Sequence, residues 1–229
     1  MQERKMSQNI GMITIGQSPR NDIISDMRSI LGSDISIIEC GALDGLSPKE
    51  ITTLQPPTKE NLLVTRLREG TEVTVNKAEI VTRLNECITK LEAKTKVIVL
   101  LCTGKFEELQ SKKPMLEPFL LLRNLLEIML PTNSKLGMVI PSAEQAERMR
   151  DVWKLKGVKK MIIEAYSPYK GEGEKLTEKV KKFKKNGVDM IVLNCMGYSK
   201  EMREKVKKIT NLPVILPRTL IARIVKDIL

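Results

Sequence analysis

The chain has 229 residues, 41% of them hydrophobic and only 3% aromatic, with a formal net charge of +11. That length fits one large α/β domain or two small lobes built around Leu, Ile, Val and Met, and no apolar run approaches the roughly 18 residues needed to span a bilayer. Histidine is absent, which excludes a Ser-His or Cys-His couple and any histidine-containing metal site, so acid–base chemistry falls to Cys, Asp, Glu, Lys or Tyr.

Met1 to Asn9 is polar and charged, without the apolar stretch of a signal peptide; a cytoplasmic protein with four reduced cysteines is expected, and no CxxC pair marks a metal or redox motif. Ile10–Gly16 reads as a strand. Ser18 reads as the N-cap of a helix running to about Leu31, with Pro19 in its first position. Asp34–Ala42 is a second strand, and Ser47-Pro48-Lys49-Glu50 is a capping box opening a short helix. Two strand-like runs, Asn61–Arg68 and Thr71–Val75, flank Glu69-Gly70 as a β-hairpin. Asn76 and Glu79 open a helix to about Ala93. Lys96–Leu101 is a continuous apolar strand ending at Cys102, followed by a short helix over Pro114–Pro118 and an apolar helix over Phe119–Met129.

The second half follows the same scheme. Lys135–Pro141 is a strand, Ser142 caps a helix, and Lys160–Tyr166 is a strand. Lys175–Lys185 reads as an amphipathic helix with Leu176, Val180 and Phe183 on its apolar face. Its lysines form a solvated face; with no aromatic platform beside them, specific nucleic-acid binding is not expected. Met190–Asn194 is a strand ending at Cys195, and a helix from Ser199, the segment Pro213–Pro217 and a helix from Thr219 to Leu229 close the chain. Apolar strands alternating with helices predict mostly parallel sheets covered on both faces.

The halves also match residue by residue. Ile10-Gly-Met-Ile13 is echoed by Leu136-Gly-Met-Val139, Ile98-Val-Leu-Leu-Cys102-Thr-Gly104 by Ile191-Val-Leu-Asn-Cys195-Met-Gly197, and Pro114-Met-Leu-Glu-Pro118 by Pro213-Val-Ile-Leu-Pro217. This order predicts an internal duplication: a first lobe over 1–112 carrying the hairpin at about 61–75, and a second over 113–229 whose last helix packs on the first. The lobes would be related by a pseudo-twofold axis. Ligands of parallel α/β sheets bind beyond the carboxyl ends of the strands, which is where Cys102 and Cys195 fall. A glycine and a helix start after each thiol would supply N–H groups and a positive dipole end, favouring the thiolate. Cys87, mid-helix beside Leu84 and Ile88, reads as core packing, and so does Cys40.

In this arrangement the chain resembles the aspartate/glutamate racemase superfamily, whose two similar lobes each present one cysteine as a proton-transfer base. Within it the chain resembles the AroM family along nearly its whole length. The segments carrying this resemblance are Thr14-Ile-Gly-Gln-Ser-Pro-Arg20, Gly41-Ala-Leu-Asp-Gly45, Val64-Thr-Arg-Leu-Arg-Glu-Gly70, Leu116-Glu-Pro118 and Asn194-Cys-Met-Gly197. The racemase pattern is altered at Gln17-Ser18 in place of Asp-Ser, at Cys102-Thr-Gly104 in place of Cys-Asn-Thr, and at Cys195-Met-Gly197, where a neighbouring histidine is missing.

The resemblance implies Cys102 and Cys195 as opposed acid–base groups. Around them, Gln17, Ser18, Arg20, Thr103, Gly104, Glu117, Gly197, Tyr198, Ser199 and Arg218 are candidate contacts for a small carboxylate ligand, Arg20 through a bidentate grip. Arg66 and Arg68 would either cover the ligand from the hairpin or face solvent. No GxGxxG or Walker loop is present and Gly171-Glu-Gly173 is too short to count, so no cofactor and no metal are expected. Neither is a membrane partner; assembly with further copies of the chain is compatible with this reading. Three function classes stay open: a cofactor-independent isomerase, racemase or related lyase; a catalytically silent ligand-binding module; and a nucleic-acid-associated protein.

Overall fold

The structure is a computed structural model that describes residues 8–171 and 173–229. Most of the polar Met1–Asn9 stretch and the centre of Gly171-Glu172-Gly173 lie outside the described residues. Two mostly parallel four-stranded sheets with helices form an α/β fold. The first half contains β1 (Gln8–Thr14), α1 (Asn21–Leu31), β2 (Ile35–Gly41), α2 (Pro48–Thr53), a hairpin of β3 (Leu62–Arg66) and β4 (Glu72–Asn76), α3 (Lys77–Glu92), β5 (Val97–Leu100), β6 (Met115–Leu116) and α4 (Pro118–Met129). The second contains β7 (Ser134–Ile140), α5 (Ala146–Val152), β8 (Val158–Ala165), α6 (Gly173–Lys185), β9 (Met190–Leu193), α7 (Lys200–Thr210), β10 (Val214–Ile215) and α8 (Pro217–Ile228).

The strand orders are β2-β1-β5-β6 and β8-β7-β9-β10, so the halves share one topology, with β1, β2, β5 and β6 matching β7, β8, β9 and β10. The central strands are buried almost without a break, as in β5 and β9 at every residue, and successive side chains turn to opposite faces, which is the pattern of strands covered on both faces. Ile10, Met12, Val97 and Val99 pack with α1 and α8, whereas Ile13, Ile98 and Leu100 pack with α3. In the second sheet Leu136, Met138 and Val192 face α4 and α5, and Val139, Ile191 and Leu193 face α6 and α7.

Three local expectations are corrected. The short helix over Pro114–Pro118 is instead β6: Ile98 N–H donates to Pro114 O at 3.0 Å, as Ile191 does to Pro213 O at 2.9 Å, and the two prolines keep the segment extended. The lobe boundary at 112/113 therefore falls too early, because β6 still belongs to the first sheet and the chain crosses to the second lobe with α4. Ser18 does not cap α1. Its hydroxyl donates to Asp44 Oδ2 at 2.5 Å, the Ser18–Pro19 peptide is cis, and the helix starts at Asn21 after Arg20.

A further correction concerns the cysteines. Cys40 and Cys87 are joined by a disulfide across 47 residues, with Cα atoms 5.6 Å apart: Cys40 at the end of β2 faces the buried side of α3, where Cys87 sits. The expectation of four reduced thiols is therefore corrected to two, Cys102 and Cys195. No helix among the described residues is long and apolar enough to cross a membrane.

The lobes exchange helices. Phe119 at the start of α4 packs edge-to-face on Trp153 of the second lobe, with ring centroids 5.1 Å apart. The equivalent helix, α8, lies on α1 of the first lobe, where buried Arg218 donates to Met196 O at 2.8 Å, Asp22 O at 2.7 Å and Asp26 Oδ2 at 2.9 Å. Truncating one partner of a buried ion pair leaves the other uncompensated. Replacing Arg218 by Met orphans Asp26 and two carbonyls and is expected to lower unfolding stability by about 3 kcal/mol, measured by urea denaturation, with Arg218→Lys intermediate.

Candidate active site between the two lobes

Cys102 and Cys195 each stand two residues past a central strand, and the chain turns there in the same way. Leu101 N–H donates to Ile13 O at 2.7 Å and Asn194 N–H to Val139 O at 2.8 Å. Gly104 N–H then donates to Cys102 Sγ and Gly197 N–H to Cys195 Sγ, both at 3.3 Å. These are the two free cysteines, and both line one cavity between the lobes with Arg20, Thr103, Gly104 and Arg148. The lobes meet directly at its floor, where the Thr103 hydroxyl donates to Asn194 O at 3.1 Å. Leu63, Val64 and Thr65 of β3 line it from the hairpin. About 40 Å³ is open to the centres of water molecules, room for about three waters.

Burial decides the state of the thiols. It pushes Cys102 up to about 12, against the Gly104 N–H, and Cys195 nearby raises it further. Burial also raises Cys195, opposed by the Gly197 N–H, the Tyr169 hydroxyl and the Arg20 and Arg218 charges. The expectation of acidic thiols is thus overturned. Its premise fails at Cys102, where the chain stays non-helical up to β6 and no helix dipole is available; at Cys195, α7 starts only at Lys200.

Arg20 is buried and its charge is matched. It donates to Asp22 through Nε at 2.9 Å and Nη2 at 2.8 Å, to Thr14 Oγ1 at 3.1 Å and to Tyr169 Oη at 3.2 Å. Burial works against the guanidinium charge, yet these bonds hold Arg20 above its ordinary value. Burial would raise Asp22, and the Arg20, Arg66 and Arg218 charges hold it below its ordinary value. Tyr169 connects this pair to the second thiol, since its oxygen accepts from Arg20 and also lies 3.9 Å from Cys195 Sγ. Burial pushes the Tyr169 hydroxyl up, and the neighbouring Cys195 adds to this, so the phenol keeps its proton and can donate it to the sulfur.

The other sequence candidates lie elsewhere. Gln17 accepts from Arg68 N–H at 3.0 Å, and Asp44 takes both the backbone N–H and the hydroxyl of Ser18. Together with Arg68, which donates to Ser18 O at 2.7 Å, they tie the β1 end to the hairpin outside the cavity. Gly41 is required there, because a Cβ would lie 2.6 Å from Gly16 O and 2.7 Å from Ser18 N. Arg66 pairs with Asp22 at 3.6 Å and does not line the cavity. Glu117 precedes α4 with a buried, unpartnered Oε2 and is raised by burial; it touches neither Arg20 nor the cavity. Gly197 contributes its N–H. Tyr198 is buried and donates to Tyr166 O at 2.7 Å, Ser199 caps α7, and Arg218 is spent on the α8–α1 tie. A carboxylate role for Arg218 is therefore corrected, its donors being directed at the protein.

Sequence reasoning missed Tyr169, Gln145, Arg148 and Asn194, all of which line the cavity. Tyr169 had a usable signal, since Ser167-Pro168-Tyr169 is the turn after β8 and so occupies another carboxyl-end position.

The family model described as AroM protein matches residues 10–229. The chain belongs to the AroM family. No curated protein matches it by sequence. Among solved structures this AroM chain is similar to glutamate racemase from Francisella tularensis subsp. tularensis SCHU S4 in complex with D-glutamate, at TM-score 0.62 and 14% identity over 97% of this chain and 81% of that one. It is also similar to allantoin racemase from Pseudomonas fluorescens, at TM-score 0.60 and 10% identity over 96% and 90%, and to Picrophilus torridus aspartate racemase, at TM-score 0.51 and 17% identity over 94% and 91%. At these identities the likeness is one of fold.

The two thiols of the AroM chain should differ in reactivity. With Cys102 near 12, its thiolate fraction at pH 8 is about 10⁻⁴. Iodoacetamide alkylation of Cys102 in the Cys195→Ser protein should still be rising above about pH 9, and Cys195 in the Cys102→Ser protein should react at lower pH. Tyr169→Phe should move the Cys195 profile up by about one pH unit. A rate plateau below pH 8 for either thiol would contradict the assignment.

Proposed function

We propose that this AroM protein is a cofactor-independent isomerase of the racemase type, or a related lyase, acting on a small carboxylate with Cys102 and Cys195 as opposed acid–base groups. The observation that carries this reading is that the two free thiols occupy equivalent strand ends and line one cavity. Abstracting a proton next to a carboxylate requires a close, desolvated base and donors for the developing enolate.

The unequal surroundings of the thiols support a division of roles. Cys195 has an N–H donor, a phenol and nearby guanidinium charge, and supplies the thiolate. Cys102 retains its proton. The Cys195 thiolate takes the α-proton, the C–H electron pair passes into the carboxylate as an enolate, and the Cys102 S–H protonates the opposite face. Cys195 is then the thiol and Cys102 the thiolate, and the reverse reaction or proton exchange with water resets the pair. In a decarboxylation the C–C bond electrons form the enolate as carbon dioxide leaves, and a single thiol suffices as donor.

The test is incubation in deuterated water with a panel of small amino, hydroxy and dicarboxylic acids, following α-exchange by proton NMR. Exchange is expected for at least one acid and should fall by at least about 100-fold in Cys102→Ser/Cys195→Ser. A ligand that binds and shields both thiols from alkylation without exchange or turnover would establish the catalytically silent module instead.

A further inference from the structure

The lining of the cavity is more selective than its two thiols. It contains two guanidinium groups, those of Arg20 and Arg148, and no Asp or Glu. Arg20 is neutralised by Asp22 at 2.8 Å. Arg148, half-buried on α5, has no hydrogen bond or ion pair among the described residues; it also borders a separate depression together with Lys59, Glu60, Glu144, Glu147 and Asp151. Two residues that line the cavity each hold a buried polar atom without a partner: Thr65 Oγ1, in a residue 1% exposed, and Asn194 Oδ1, in a residue 4% exposed. The Asn194 amide nitrogen faces Met138 and Met149 sulfurs at 3.5 and 3.6 Å, which leaves the carbonyl as its hydrogen-bonding end.

These features set the charge a ligand must carry. A guanidinium without a direct partner calls for one carboxylate. A buried neutral acceptor calls for a neutral donor such as a hydroxyl, because leaving it unpaired costs about 1–3 kcal/mol. An ammonium group would meet no carboxylate in the lining, and pairing with the Cys195 thiolate would occupy the base that the reaction needs. Resting on the proposed acid–base reading of the same cavity, we infer that the ligand is a small hydroxy acid without an amino group, its carboxylate on Arg148 and its hydroxyl on Asn194 Oδ1 or Thr65 Oγ1.

Lactate, isobutyrate and alanine test this, since they place a hydroxyl, a methyl and an ammonium at the same position on nearly the same frame. In ligand-observed NMR titrations of the full chain, lactate should bind tightest, isobutyrate next, and alanine at least tenfold more weakly than lactate. Arg148→Gln should weaken lactate at least tenfold, with part of the affinity restored in Arg148→Lys. Asn194→Leu should abolish the preference for lactate over isobutyrate. Alanine binding as well as lactate, isobutyrate binding best, no binding of any of the three, or an unchanged affinity in Arg148→Gln would overturn the inference. Lactate binding in the expected order without α-exchange would remove the catalytic reading and leave the ligand class standing. Thiol-dependent exchange on an amino acid would do the opposite.

Discussion

Desolvation of two sulfurs between two sheets is the constraint on which the site depends. A thiol is a poor base until it ionises, and taking it out of water makes ionisation harder. At Cys102 the opposing help is one backbone N–H and distant positive charge, and the thiol stays protonated. At Cys195 a second donor, the Tyr169 phenol, is held in place by Arg20, whose own charge is held by Asp22. The Asp22–Arg20–Tyr169–Cys195 series thus crosses from the first lobe to the second and makes two topologically equivalent cysteines chemically unequal.

Keeping water out falls to parts of the chain remote from the sulfurs. The hairpin supplies Leu63, Val64 and Thr65 to the cavity, and Glu72 on β4 accepts from Ser167 and pairs with Lys170 at 3.1 Å, fastening the hairpin to the second lobe. Buried Gln145 donates to Leu62 O at 3.1 Å from the other direction. The exchanged helices α4 and α8 hold the lobes together behind the sheets, α4 through aromatic packing and α8 through buried Arg218. Part of the segments that mark the chain as AroM braces the first lobe rather than lining the cavity: Gln17, Ser18, Gly41, Asp44 and Arg68 form one hydrogen-bonded knot at the end of β1.

The fold was legible because burial on both faces leaves continuous apolar runs, and the repeat aligned them in order. The thiol positions were legible for the same reason, being the first residues after such runs. What escaped depended on partners distant in sequence. Ser18 looks like an N-cap until Asp44, 26 residues away, takes its hydroxyl. Cys40 and Cys87 read separately as packing, because no local pattern brings the end of β2 to the middle of α3. Pro114–Pro118 reads as a helix until β5 provides an edge to pair with. Arg148 carries no motif and Asn194 stands in one only as the neighbour of Cys195; both gain meaning from a polar group left without a partner in the folded chain. The acidity expected of the thiols failed on a quantity that a sequence does not contain, their depth.

The central claim, that Cys102 and Cys195 serve one cavity as a pair, is tested most directly by bridging them. Dibromoacetone, a short reagent with two thiol-reactive ends, should react in the Cys40→Ser/Cys87→Ser protein at alkaline pH to give one adduct per chain. Peptide mass spectrometry should find it joining the Cys102 and Cys195 peptides within the monomer. Two independent adducts per chain, or reaction at only one of the sulfurs with the other left free, would contradict the account.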